Sequence, residues 1–169
     1  MRQVVLLRAV NVGGTGKLAM ADLKELCREA GCSDVRTYIA SGNVVLTTDL
    51  DEKDLRAALE PRLAAHMGAP LPVFVRSAAE MQAILAANPF HAAEPKHTYA
   101  IFLHTSPPAD ALAQVRGATN ERMAVGDREI FVQYPDGMGR SKLVIPAAKA
   151  GTARNMNTVT RLAEMAGAH

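Results

Sequence analysis

The sequence predicts an α+β protein of two small halves, and three observations carry that prediction. Over the first half, strand-length apolar runs and helically spaced apolar sets alternate in the order β-α-β-β-α-β. Each half holds two β-rich runs separated by a tight-turn pair, Ser41-Gly42 in the first and Gly126-Asp127 in the second. A connector without periodicity, Phe90 to Pro95, lies between them, so residues 1–89 and 90–169 are expected as subdomains.

Gln3 to Arg8 reads as a buried strand, because Val4, Val5, Leu6 and Leu7 are a continuous apolar run of strand length. After a glycine-rich loop, Met20, Leu23, Leu26, Cys27 and Ala30 recur at helical spacing and Gly31 supplies a left-handed stop. Asp34 to Ala40 and Asn43 to Thr48 follow as a hairpin. Asp51 caps a helix whose buried set is Leu55, Leu59, Leu63 and Met67. Pro61 sits within it, removes one amide donor and crowds the preceding turn, so a kink or a restart is expected there. Leu71 to Arg76 is the next strand. This is the split βαβ order of a ferredoxin-like sandwich, with two helices on one face of an antiparallel sheet.

Ser77 and Glu80 have capping-box spacing and open a helix through Met81, Ile84 and Leu85, closed by Asn88-Pro89. In the second half Thr98 to His104 is a strand, Pro108 to Arg116 a short helix, and Arg122 to Val125 pairs with Arg128 to Tyr134. A weak helix is expected from Ser141 to Pro146, an extended piece over Thr152 to Arg154, and a last helix from about Thr158 capped by Asn157. The halves share element order and no sequence repeat.

Composition narrows the function classes. With 169 residues the chain can bury roughly 70% of the surface that its unfolded form exposes, enough for a core without staples. Aromatics are 4% and Trp is absent, which argues against a stacking platform for bases or sugars. A net charge of +2 and a pI near 8.7 are too mild to demand a nucleic-acid partner. Cys27 and Cys32 make neither a disulfide framework nor a zinc spacing and read as reduced thiols. No leader pattern and no span-length apolar run is present, so a cytoplasmic protein without membrane contact is expected.

Three stretches look suited to a ligand. Arg8 to Lys17 leaves a strand with Arg8 and Asn11, turns through Gly13, Gly14 and Gly16, and delivers Lys17 before a helix. It is not a Walker loop, since Asn11 stands where the first Gly belongs and Leu18 replaces the metal-binding hydroxyl. Nor is it a dinucleotide fingerprint, with Ala19 at the third Gly position. Gly137 to Lys142 brings Gly139, Arg140, Ser141 and Lys142 together, with Tyr134 just before. Arg154, Asn155 and Asn157 precede the last helix. Ser41 and Asn43 are accounted for by hairpin geometry and are weaker members of the set. Cations at Arg8, Lys17, Arg140, Lys142 and Arg154 each fall within about one turn of a predicted helix start. They oppose the helix dipole there unless an anion joins them.

Four stretches carry a family likeness in sequence order: Leu6-Leu7-Arg8-Ala9-Val10-Asn11-Val12-Gly13-Gly14, Tyr38-Ile39-Ala40-Ser41-Gly42-Asn43-Val44, Gly137-Met138-Gly139-Arg140-Ser141-Lys142-Leu143, and Thr152-Ala153-Arg154-Asn155-Met156-Asn157-Thr158-Val159. Together they resemble the bacterial domain-of-unknown-function family numbered sixteen-ninety-seven. The resemblance implies two small α+β subdomains, the first ferredoxin-like, in a soluble intracellular protein, and no assigned reaction. Two positions depart from the pattern: Ala9 stands where the family usually has Gly, and Met156 where it usually has Trp. Met fills an apolar gap but donates no indole N–H.

The expected function is binding of a phosphorylated or carboxylate small molecule between the two halves. The expected ligand set is Arg8, Asn11, Gly13, Gly14, Lys17, Ser41, Asn43, Tyr134, Gly139, Arg140, Ser141, Lys142, Arg154, Asn155 and Asn157. Two rivals remain: a single-stranded nucleic-acid-binding module, against which the aromatic-poor strands speak, and a protein-interaction domain with no small ligand. No metal, cofactor or catalytic residue is assigned. His91, His97 and His104 lack ligand spacing, and no nucleophile elbow or paired carboxylates stand out. Neither an enzymatic reaction nor an oligomeric state is read from the sequence.

Overall fold

A computed structural model describes residues 1–8 and 17–167 of the chain. The first strand β1 (Arg2–Leu7) is followed by α1 (Met20–Glu29), β2 (Ser33–Thr37), β3 (Asn43–Thr47), α2 (Glu52–Met67) and β4 (Val73–Ser77). The four strands form one antiparallel sheet in the order β2-β3-β1-β4, with Val4 opposite Val45 on one side and Arg76 on the other. Val5, Leu7, Val44, Leu46, Val73 and Val75 point to one face and cluster with Leu23 and Cys27 of α1 and Leu55, Leu59 and Leu63 of α2. The opposite face, with Val4, Leu6, Asn43, Val45, Phe74 and Arg76, is buried as well. That is why β1 reads as an unbroken apolar run: both of its sides are covered.

The helix ends follow the sequence signals closely. Asp51 accepts the Asp54 N–H at 2.8 Å, and Gly68 stops α2 in a left-handed conformation. Ser77 and Glu80 cap α3 (Ala78–Ala87) reciprocally, the Ser77 N–H donating to Glu80 Oε1 at 2.8 Å and the Glu80 N–H to Ser77 Oγ at 3.1 Å. At Pro61 the helix does not restart: α2 runs through it as one helix of 16 residues. The Arg62 guanidinium, one residue on, donates to the Ala58 carbonyl at 2.7 Å. The hairpin also differs: the connection between β2 and β3 spans residues 38–42, closed by the Tyr38 N–H on the Asn43 carbonyl at 3.0 Å.

The later strands β5 (Thr98–Phe102), β6 (Arg122–Val125), β7 (Glu129–Gln133) and β8 (Thr152–Asn155) form a second antiparallel sheet in the order β6-β7-β5-β8. Strand for strand this is the order of the first sheet. Ile101, Ile130, Val132, Tyr134 and Ile145 cluster on one face, while Ala100, Phe102 and Phe131 are buried on the other. The final helix, α4, covers Met156–Gly167. Contacts divide the chain into two compact units, Met1–Met81 with the chain end from Leu162, and Gln82–Arg161, so the divisions fall inside α3 and α4.

Two expected helices of the second unit are absent, for one shared reason. Residues 108–113 form turns closed by i to i+3 bonds, Ala111 N–H to the Pro108 carbonyl at 3.0 Å and Ala113 N–H to the Asp110 carbonyl at 2.9 Å. Beyond them Arg116 and Val144 exchange both backbone hydrogen bonds, at 3.0 and 2.8 Å, in an isolated antiparallel bridge. That bridge takes the N–H and C=O of Arg116, at the end of the first expected helix, and of Val144, inside the second, out of helical pairing. Ser141 adds to the effect, since its Oγ accepts the Leu143 N–H at 3.1 Å, a local turn that competes with a helix. Single 3₁₀ turns at Met138–Arg140 and Pro146–Ala148 stand in its place.

Candidate functional site

The polar residues that the structure gathers are in the second unit. A small cleft of about 30 Å³ is lined by Thr119, Asn120, Glu121, Tyr134, Asp136, Gly137, Arg140 and Ser141. Room of that size takes about two waters, or the head group of a larger molecule. Its floor is fixed by β7, which ends just before Tyr134, and by the Tyr134 N–H donating to the His97 carbonyl at 2.8 Å. The Tyr134 ring meets Tyr99 edge to face at 5.5 Å, and burial is the main cause that raises the Tyr134 phenol above its ordinary pKa. Tyr134 is thus a neutral phenol at the cleft wall.

Glu121 organises the rim. Its Oε1 accepts the Thr119 N–H at 2.8 Å, the Thr119 hydroxyl at 3.1 Å and the Asn120 N–H at 3.1 Å. Its Oε2 accepts the Ser141 hydroxyl. These bonds, the one from Ser141 foremost, hold the Glu121 carboxyl down at about 2. Asp136 takes the Asn120 side-chain amide at 2.9 Å. Both acids of the cleft are therefore already occupied by neutral donors. Arg140 and Lys142, both exposed, make no ion pair among the described residues.

The other sequence-predicted residues are placed as follows. Asn11, Gly13 and Gly14 lie outside the described residues. Arg8, half-buried after β1, donates its N–H to the Pro72 carbonyl at 3.1 Å, and Lys17 is exposed three residues before α1 begins. Asn43 is fully buried and sends its amide to the Tyr38 carbonyl and to Ser41 Oγ, both at 2.9 Å, closing the turn that holds Ile39 at a left-handed φ of 50°. Gly139 lies exposed in the 3₁₀ turn, and Arg140 ends that turn rather than opening a helix.

Arg154 is buried on β8, where its Nη1 donates to the Thr152 hydroxyl at 2.7 Å and the Ala153 carbonyl at 2.9 Å. Burial lowers its pKa to about 10. Asn155, not Asn157, caps α4: its Oδ1 accepts the Thr158 N–H at 3.0 Å, and the helix starts at Met156 rather than near Thr158. Asn157 is exposed. So Tyr134, Arg140 and Ser141 share the cleft, while Asn43 and Asn155 serve the backbone.

Thr119, Asn120, Glu121 and Asp136 are the lining residues that the sequence reading passed over. The Thr119-Asn120-Glu121 triplet carries the local signature of a polar turn that folds onto its own carboxylate, and it was the one available signal. Its pairing with Ser141, 20 residues away, has no sequence signature.

Fold and cleft together define a class: a two-unit α+β protein with one four-stranded antiparallel sheet in each unit and a small polar cleft beside the second sheet. Among solved structures, a conserved bacterial protein from Streptococcus pneumoniae is 23% identical and superposes with a TM-score of 0.80 over 98% of both chains, a likeness of fold. No curated protein matches the sequence. The profile of the family described as protein of unknown function, DUF1697, matches residues 1–131, and the chain belongs to that family. No helix among the described residues is long and apolar enough to cross a membrane.

Proposed function

We propose that the protein binds a small molecule with a phosphate or carboxylate group at the loop of residues 137–142, with Arg140 as the contacting cation. The observation that carries this reading is the contrast within one cleft. Glu121 and Asp136 are occupied by neutral donors, whereas the Arg140 guanidinium has no carboxylate partner among the described residues. A guanidinium has five donors in a planar fork suited to an oxyanion. Glu121, bonded to four donors, leaves that fork to solvent or to a ligand. Asp136 accepts one donor, through Oδ2, and its remaining acceptor room suits a ligand hydroxyl, which favours a sugar phosphate over bare phosphate. In this reading the first unit is a ferredoxin-like split βαβ sheet and the second a sheet of the same strand order, in a cytoplasmic protein. The strand order 4-1-3-2 with every neighbour antiparallel supports that description of the fold.

Thermal unfolding in the presence of inorganic phosphate, glucose 6-phosphate, a nucleoside monophosphate and a short oligonucleotide, each at two salt concentrations, tests the reading. Glucose 6-phosphate or the nucleotide should raise Tm, and Arg140→Ala should remove the rise. Arg140 is exposed and, among the described residues, bonded only through its backbone, so its loss should change unliganded stability by no more than about 0.5 kcal/mol. A Tm rise that survives Arg140→Ala, or no rise with any of the anions, overturns the proposal. Oligonucleotide binding that vanishes steeply with salt would favour the nucleic-acid rival instead.

A further inference from the structure

The C-terminal end of α1 is a complete Schellman motif, and both of its contact positions are cysteines. Ala30 is the last half-helical residue, and Gly31 follows at a φ of +90°. The Gly31 N–H donates to the Arg28 carbonyl at 2.9 Å, and the Cys32 N–H reaches back to the Cys27 carbonyl at 3.1 Å. In this motif the residue after the glycine and the residue five before it are drawn together by that longer bond, and apolar side chains usually fill the contact. Here the pair is Cys27 and Cys32, both reduced, both buried and both in the same core cluster.

We infer that Cys27 and Cys32 form a thiol–disulfide exchange site, closing to an intrachain disulfide when the protein meets an oxidised low-molecular-weight disulfide. The backbone bond between residues 27 and 32 closes the ring that the disulfide would span, which keeps their Cα atoms near the separation a disulfide needs. The two thiols also differ. Cys27 sits in the last turn of α1 with no exposed surface, and burial first, then the neighbouring Cys32, pushes its thiol up to about 12, with Arg28 opposing. Cys32 lies between exposed Gly31 and Ser33 and faces the Thr48 hydroxyl, which partly offsets the rise that burial causes. Cys32 is therefore the entry thiol.

The reaction balances as two exchanges. The Cys32 thiolate, its proton released to water, attacks one sulfur of the small disulfide, and the other half leaves as a thiolate. Cys27 then loses its proton and attacks Cys32 Sγ, expelling the second half. One small disulfide is reduced to two thiols, and two protein thiols are oxidised to one disulfide. Cys32 is buried, so the first step requires the Ala30–Cys32 segment to open locally, and the expected rate follows that opening rather than global unfolding.

The test uses the full chain at neutral pH in glutathione buffers of increasing oxidised fraction, quenched with acid and read by intact mass and peptide mapping. The expected product is lighter by two hydrogen atoms, linked between Cys27 and Cys32, monomeric, and returned to the starting mass by dithiothreitol. Cys27→Ala should stop at a mixed disulfide between Cys32 and glutathione, and Cys27→Ser serves if the alanine variant fails to fold. Circular dichroism before the quench establishes that the reacting protein is native. Thiols that stay fully alkylatable at the most oxidising ratio, or that react only in denaturant, overturn the inference, as does a glutathione adduct on the unmodified chain that never resolves.

Discussion

Replacing Asn155 separates a structural role from a ligand role in the stretch before the last helix. In the structure Asn155 Oδ1 accepts the Thr158 N–H at 3.0 Å, so Asn155→Ala orphans one of the first donors of α4. Loss of such a cap costs about 0.5–2 kcal/mol. Thr158 is only 6% exposed, so its freed N–H gains little water and the cost belongs in the upper half of that range, about 1.5 kcal/mol. For a chain of this length that lowers Tm by roughly 3–6 °C. Asn157 is exposed and Asn157→Ala should stay within about 0.5 kcal/mol. Urea unfolding of both variants and the parent, followed by far-UV circular dichroism, measures the difference at unchanged m. Equal losses for the two variants, or a larger loss for Asn157→Ala, would refute the assignment of the cap.

Three further outcomes are expected. Glu121 carries a depressed pKa, so its contribution to stability is complete above its ordinary value of 4.5 and is lost as pH falls toward about 2. Glu121→Gln should flatten the acid limb of the unfolding curve in that window, and an unchanged limb would show that the carboxylate does not hold the rim. Gly117→Ala should be strongly destabilising, by about 2 kcal/mol or more, because the residue has a φ of +73° and an added Cβ would stand 2.1 Å from the Lys142 carbonyl oxygen. Thermal unfolding with a loss under 0.5 kcal/mol would contradict it. Arg154→Ala should cost about 2–4 kcal/mol, since it empties a buried volume and removes the donor to the Thr152 hydroxyl. Arg154→Met, which keeps the apolar stem, should cost less in the same urea assay; equal costs would mean that packing of the stem contributes nothing.

The strands, the Asp51 and Ser77 caps and the Gly31 stop were legible in the sequence, because each depends on residues within one turn or one alternation of the chain. The two missing helices of the second unit were not. Their segments carry a Pro start and scattered apolar residues, and each is tied at one point into the Arg116–Val144 bridge between positions 28 apart. The restart allowed for at Pro61 does not occur, since α2 is held by Leu55, Leu59 and Leu63 in the core on both sides of the proline.

The same division applies to the ligand set. Residue types alone singled out Gly139, Arg140 and Ser141 as polar and basic, yet the sequence does not say that Glu121 satisfies Ser141 while leaving Arg140 exposed. Nor does it say that Arg154 is buried on its strand or that Asn155 is spent on a helix end. By itself the sequence determined the strands in their order along the chain, the caps of α2 and α3 and the family pattern, all of which are properties of neighbouring residues. Only the tertiary structure decided which polar groups meet. A hydrogen bond between Glu121 and Ser141 depends on strand register and turn geometry summed over the chain between them, and no short window of residues contains that sum.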